Sequence, residues 1–378
     1  MDGQALSAIE VIALSVPIEQ ATVTLPTLRN RGQSSRFALI VSARTQDGLV
    51  GRGYFTVLGA DPVRVAGEVE RLAEPLLGTP AWAVDASWEA MFRLTHRQFR
   101  TRGETCRAIS LIDAALWDLN AKRVGMPLHR LWGGHTDQLP MIVVDTSAYP
   151  DESDGDLGDR MERFRCAGYA GVKFKVGAMS GRGVDRDAER GAVVRQAAGP
   201  GFAIIADANQ GWTVPEALRF LKRTQELELA WLEEPCIWTR DRDAMAQVRA
   251  AGLGRICAGQ MEYTVRGCAD LIEAGSIDVC NFDASNGGGA TAWRRMASVA
   301  SVHDVEVVCH VEPQVGAHLA ASVTGGLFAE MFEPAADPFF SQMVANARQP
   351  KEGLYTLPEE PGWGLELDED FIRKYRAN

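Results

Sequence analysis

The sequence predicts an α/β fold, a (β/α)₈-type TIM barrel preceded by an α+β domain, and three observations carry the prediction. The first is a series of short apolar runs, each ending on a chemically active residue: Lys173 and Lys175, Asp207, Glu233, Gln260 or Glu262, Asp283, His310 and Glu330. From Lys175 onward, successive sites lie 20 to 32 residues apart, close to the roughly 30 residues of one strand-plus-helix unit. The second is the alternation of these runs with amphipathic stretches such as VPEALRFLKRTQEL and ATAWRRMASVASVH, the pattern of parallel strands joined by crossover helices. The third is length: 378 residues exceed one typical domain and suit a barrel with a smaller companion.

The elements follow in order. AIEVIALSV reads as a strand, and SSRFALIVSARTQDGLVGRGYFTV as two more around Asp47-Gly48, a hairpin turn signal. Between them lies a long polar stretch with Arg29, Arg31 and Arg36, too irregular for an element. It suits a functional lid, or an ordinary solvated loop. DPVRVAGEVERLAEPLLG opens with an Asp-Pro cap signal, WAVDASWEAMFRLTHRQF has helical spacing of apolar residues, and RAISLIDAALWDLNAKRV predicts a strongly amphipathic helix before a Gly-Met-Pro breaker. Eight strands are then read in LPMIVVDTSAY, GVKFKVG, FAIIADANQG, LAWLEEP, RICAGQMEY, SIDVCNFDAS, VEVVCHVEP and GLFAEMFEP. The expected boundaries are an α+β capping domain over 1–125, a barrel over 126–333, and a segment over 334–378 that returns to the cap.

Composition narrows the function classes. A formal net charge of −11 disfavours nucleic acid and anionic membranes as partners, because a negative surface repels both. Seven cysteines include no C-x-x-C pair and leave an odd number, so neither a zinc knuckle nor a disulfide framework is indicated. The opening residues lack a basic leader pattern and no apolar run reaches about 18 residues. A cytoplasmic location and a homo-oligomer are expected.

Strand alternation places Lys173 and Lys175 on one face of GVKFKVG, and in a barrel both ammonium groups point inward. Two adjacent cations are expected to lower each other's pKa, which makes a lysine a usable base. Asp207, Glu233 and the polar pair Gln260 and Glu262 end three consecutive strands, an oxygen set suited to a hard cation such as Mg²⁺; each could instead cap a helix or pair with lysine. Parity turns Glu234 outward. His310 and Asp283 close neighbouring strands, an arrangement in which the carboxylate orients the ring and stabilises its charged form. The Asn286-Gly287-Gly288-Gly289 run points to tight strand-to-helix packing rather than to a phosphate cradle.

ISLIDAALWDLNAK with PLHRLWGG, then VKFK, ADANQGW, WLEEP, DASNGGGATAW, CHVEPQVGAHLAAS and Glu330 together resemble the enolase superfamily, in its mandelate racemase-like branch, across nearly the whole chain. Its sites pair a Lys or His base with Mg²⁺. The resemblance implies Asp207 and Glu233 as Mg²⁺ ligands and Lys175 as base on one substrate face, its pKa depressed by Lys173, which contacts the substrate carboxylate. It implies His310 with Asp283 on the other face and Glu330 bonded to an enolate oxygen. The chain departs at Gln260, where the family has Glu; Gln260 is expected as the third ligand, with Glu262 as the alternative or as a contact to distal hydroxyls. Asn209 and Arg29 are further expected substrate contacts. The implied reaction is dehydration of a sugar acid to a 2-keto-3-deoxy acid, the alternatives being a racemase or epimerase of a 2-hydroxy acid, or a non-catalytic relative.

Overall fold

The computed structural model describes residues 3–17, 35–96, 102–145, 152–177 and 183–377. Strands β1 (Leu6–Pro17), β2 (Ser35–Thr45) and β3 (Val50–Thr56) form an antiparallel meander in that order. The β2–β3 turn closes at Gly48, whose φ of 88° suits glycine. Helix α1 (Pro62–Ala73) starts where the Asp61 side chain accepts from the Val63 N–H, with Pro62 in the first turn. Helices α2 (Val84–Phe92), α3 (Arg102–Val124) and the short α4 (Leu128–Leu131) follow.

Sequence patterning predicts α3 as strongly amphipathic, and here the structure differs. Fourteen residues of α3 are buried, because the helix is enclosed between the meander and the barrel. Toward the meander it comes close enough that a Cβ on Gly51 would lie 2.2 Å from the Ala115 carbonyl. Toward the barrel, Asp113 accepts from the Thr291 N–H (3.0 Å) and hydroxyl (2.6 Å).

The barrel strands are β4 (Gln138–Val144), β5 (Gly171–Lys175), β6 (Ala203–Asp207), β7 (Trp231–Glu233), β8 (Ile256–Ala258), β9 (Val279–Phe282), β10 (Glu306–Cys309) and β11 (Ala329–Phe332). They run parallel in sequence order from β4 to β10, and β11 returns to pair with β4. An isolated parallel bridge between Val307 and Gly326 draws the last seam together. Helices α5 (Asp154–Cys166), α6 (Val184–Ala198), α7 (Val214–Arg223), α8 (Asp241–Ala250), α9 (Val265–Glu273), α10 (Gly289–Ser301) and α11 (Pro313–Ala321) are the crossovers. Ile142, Ile205, Trp231, Cys257, Val279 and Val308, one from each of six strands, make a separate buried cluster that fills the barrel interior.

The C-terminal segment ties back to the first domain. β12 (Leu354–Thr356) pairs antiparallel with the start of β4. Trp363 donates from its backbone to Asp118 (2.9 Å) and from its indole to the Ala114 carbonyl (3.0 Å), both on α3. After α12 (Glu369–Tyr375), the Ala377 N–H reaches the Ala13 carbonyl on β1. Among the described residues, no helix is long and apolar enough to cross a membrane.

Candidate active site

Backbone strain marks one rim of the barrel. Among the described residues, eight non-glycine positions have positive φ, and five of them, Asn209, Gln210, Glu234, Val311 and Glu312, directly follow β6, β7 or β10. Val311 is the clearest, since a β-branched residue strongly disfavours φ of 43°. Such conformations cost about 1–3 kcal/mol each and gather at functional sites. The carboxyl ends of the strands are also where barrel enzymes place their chemistry.

On this rim the charged side chains converge. Asp207 is the register partner of Lys175 on one side and of Glu233 on the other, so the three lie in one layer. Lys175 Nζ sits 2.5 Å from Asp207 Oδ2. Lys173, one layer deeper and fully buried, donates to Glu233 Oε1 at 2.9 Å and to both oxygens of Glu330 at 2.9 and 2.8 Å. Trp231 Nε1 holds the other oxygen of Glu233 at 3.0 Å, and the Val311 N–H reaches Glu330 Oε2 at 3.1 Å.

The expected mutual pKa depression of the two lysines fails for Lys173. Burial disfavours its charge, but the carboxylates of Glu233 and Glu330 outweigh burial and raise its pKa. Parity put both lysines on one face without indicating that strands β7 and β11 bring carboxylates to meet the deeper one. Lys173 is thus held between carboxylates from two other strands. Burial pushes Glu233 up, whereas for Asp207 the attraction of the lysines overcomes burial and lowers it.

The third oxygen position separates clearly. β8 ends at Ala258, so Gln260 and Glu262 lie in the turn beyond it and strand parity does not govern them. Gln260 is 5% exposed, and its Oε1 is buried without a hydrogen-bond partner among the described residues. An orphaned acceptor of this kind costs about 1–3 kcal/mol and fits a cation ligand. Glu262 instead pairs with Arg242 at 2.6 Å. Among the described residues no three His, Cys, Asp or Glu side chains gather as a metal set.

Glu234 corrects another expectation. Parity predicts it outward, yet its φ of 42° breaks the strand and buries it. Its carboxyl, pushed up to about 7 by burial, accepts from the Gly259 N–H (3.0 Å) and Gln210 Nε2 (3.1 Å). It thereby braces the turn that carries Gln260. The sequence signal was only the doubled acid in WLEEP.

Across the rim, His310 Nδ1 lies 2.9 Å from Asp283 Oδ2. Asp283 also accepts from the Ser285 N–H (2.7 Å), the Ser285 hydroxyl (2.6 Å) and Asn286 Nδ2 (2.8 Å). Burial, the largest single effect, raises this carboxyl, but the hydrogen bond and charge of His310, the Ser285 hydroxyl and Arg107 together outweigh it and lower it. An ionised Asp283 accepts a hydrogen bond from Nδ1–H and leaves Nε2 for chemistry. The glycine run serves packing, as expected: a Cβ on Gly287 would lie 2.1 Å from the Phe282 ring, and the Gly288 carbonyl accepts from Trp88 Nε1 at 2.6 Å. Asn209 is exposed beside the site, its N–H bonded to Asp207 Oδ1 at 2.9 Å. Arg29 lies outside the described residues. Arg36, expected in the lid stretch, instead lies in β2 and is buried.

Residues 8–133 match the mandelate racemase / muconate lactonizing enzyme N-terminal domain, and residues 156–371 match the enolase C-terminal domain-like model. The 3,6-anhydro-alpha-L-galactonate cycloisomerase of Streptomyces coelicolor is 29% identical over 92% of this chain and 94% of its own. The L-talarate/galactarate dehydratase of Salmonella typhimurium is 28% identical, over 96% of this chain and 88% of its own. A mandelate racemase/muconate lactonizing enzyme from a marine actinobacterium, solved in complex with magnesium, superposes with a TM-score of 0.91 at 36% identity and full coverage of both chains. The chain therefore belongs to the enolase superfamily and, within it, to the mandelate racemase / muconate lactonizing enzyme family. Enzymes of this superfamily use Mg²⁺, and the relatives of this chain include dehydratases and cycloisomerases.

Proposed function

We propose that the protein is an Mg²⁺-dependent enzyme that abstracts the proton α to a carboxylate and completes the dehydration of a sugar acid to a 2-keto-3-deoxy acid. The observation that carries this reading is the buried, unpartnered amide oxygen of Gln260 on the rim that also holds the buried carboxylates of Asp207 and Glu233. Those three residues would hold the ion. Bound there, Mg²⁺ supplies a Lewis acid for the negative charge that develops on the substrate carboxylate.

The chain's own residues divide the proton traffic. Lys175, on the second barrel strand, takes the α-proton onto Nζ. His310, on the seventh, gives a proton from Nε2 to the departing β-hydroxyl, while Asp283 fixes the ring through Nδ1. Glu330 presents its carboxyl to the developing enolate oxygen. Lys173 is a positioning residue, since its bonds hold Glu233 and Glu330 in place. Residues 1–125 then act as the cap over the mouth, 126–333 as the barrel with the chemistry, and 334–378 as the strap that joins them.

The similarity to cycloisomerases favours one variant. On a cyclic substrate the same elimination expels a ring oxygen, which remains attached, so the product is an isomer of the substrate and no water is lost. Return of a proton to the opposite face by His310 would give racemisation or epimerisation instead. A screen of acid sugars and their lactones, with Mg²⁺ and with a chelator, distinguishes these outcomes. Metal-dependent 2-keto-3-deoxy products from open-chain acids support dehydration, and turnover that persists with the chelator refutes the mechanism.

A further inference from the structure

Arg36 begins the face of the capping sheet that meets the barrel. Its neighbours on that face are Ala38 and Ile40 of β2, with Thr56 and Tyr54 opposite them on β3. The face is docked on the β10–α11 junction, where Glu312 accepts from the Thr56 N–H at 2.8 Å and Gln314 Nε2, in the first turn of α11, reaches the Tyr54 carbonyl at 3.2 Å. From the edge of this face, the guanidinium carbon of Arg36 lies 5.5 Å from the centre of the Phe332 ring. Phe332 follows Glu330 by two residues on β11, so both side chains point to the same side. Along the strand they are about 7 Å apart at roughly 3.3 Å per residue, the length scale of a sugar-acid chain.

The guanidinium is in an unusual state for a buried cation. Arg36 is 4% exposed, and none of its three side-chain nitrogens has a hydrogen-bond partner among the described residues. Arginine cannot shed its charge and carries five N–H donors in a planar fork. The Phe332 ring offers a cation–π contact but no acceptor. Neither of the two carboxylates whose fields reach it, Asp337 and Glu312, accepts a hydrogen bond from it. Asp337 Oδ1 takes the Phe339 and Phe340 N–H groups at 3.0 and 3.2 Å. Glu312 takes both donors of Thr56 and the Gln314 amide. The fork is left for a planar anion that arrives with the substrate, and a carboxylate matches its geometry.

We propose that Arg36 binds a second, distal carboxylate and so makes the site selective for dicarboxylic sugar acids over their monoacid counterparts. This rests on the proposed reaction, because it assumes that the α-carboxylate end is held at Asp207, Glu233 and Gln260. It assigns Arg36 a specificity role and no part in proton transfer.

The test uses the full chain with Mg²⁺, on a His310→Asn background that suppresses turnover. Calorimetry compares galactarate with galactonate and xylarate with xylonate, and 6-phosphogluconate separates a phosphate from a carboxylate as the distal anion. For at least one pair the diacid should bind about 30-fold more tightly than the monoacid, equivalent to about 2 kcal/mol. Arg36→Met should bring that ratio close to one while leaving monoacid affinity within about threefold, and Arg36→Lys should keep part of the ratio. A ratio near one in both pairs without the Arg36 substitution would overturn the assignment. So would an unchanged ratio in Arg36→Met, an equal loss for both partners, or an Arg36-dependent preference confined to 6-phosphogluconate. With His310 restored, Mg²⁺-dependent α-proton exchange on monoacids without diacid preference sinks this inference and leaves the proposed reaction standing. Diacid selectivity without exchange does the reverse.

Discussion

Replacing Lys173 by Met should destabilise the fold by about 3–5 kcal/mol at neutral pH, the cost of breaking a buried ion pair from one side. The ammonium makes three contacts of 2.8 to 2.9 Å with Glu233 and Glu330 and is fully enclosed. Charge-assisted bonds are worth about 1.5–3 kcal/mol each, so three set an upper bound above that range. The bound is not reached because one carboxyl takes up a proton instead of remaining charged and unpaired. Burial already raises Glu233, and loss of the cation raises it further. A carboxyl raised in the folded state contributes stability below its unfolded pKa and loses it as pH rises through the folded value. The deficit of the variant should therefore shrink as pH falls from 7 to 5. Urea unfolding of both proteins at pH 7 and 5, with a chelator present so that no added cation replaces the ammonium, measures it. A deficit below about 1 kcal/mol, or one equal at both pH values, would refute the reasoning.

Gln260→Glu should tighten Mg²⁺ binding and Gln260→Ala weaken it, whereas Glu262→Gln should leave it unchanged; titration calorimetry with Mg²⁺ reads all three, and an effect of Glu262→Gln alone would reverse the assignment. Asp283→Asn should lower kcat by about 100-fold or more with the fold intact by circular dichroism, since His310 loses the acceptor that fixes its ring; near-normal turnover would contradict this. Burial and the neighbouring His129 push the His318 imidazole down to about 3. Its folded value lies below the unfolded one of about 6.5, so the unfolded chain gains the proton first and stability falls with pH from about 6.5 toward 3, by about 2 kcal/mol at pH 5. Urea midpoints of His318→Gln should show that much less acid sensitivity, and an unchanged slope would assign the sensitivity to other groups.

The sequence exposed the barrel because each unit repeats the same physical pattern, a short apolar run closed by a polar residue and followed by an amphipathic stretch. Asp207, Glu233, Asp283, His310 and Glu330 were all legible as strand-end residues, and the bulk excluded around Gly287 explains the glycine run. Parity worked within strands and failed just beyond them. Glu234 and the Gln260–Glu262 turn lie past the last paired residues of β7 and β8, where positive φ or a turn redirects side chains. Pairings between distant strands were not legible either: nothing local to GVKFKVG indicates that Glu233 and Glu330 enclose Lys173. Arg36 was hidden for the same reason, since its burial depends on a sheet face meeting Phe332 and the loop after β10.

The most direct test of the two-sided proton chemistry is α-proton exchange, followed by NMR in D₂O with Mg²⁺ on a panel of sugar acids. Lys175→Ala should abolish exchange, whereas His310→Asn should stop elimination yet retain it, because abstraction and leaving-group protonation are separate steps. Exchange that survives in Lys175→Ala and disappears in His310→Asn would contradict the assignment of base and acid.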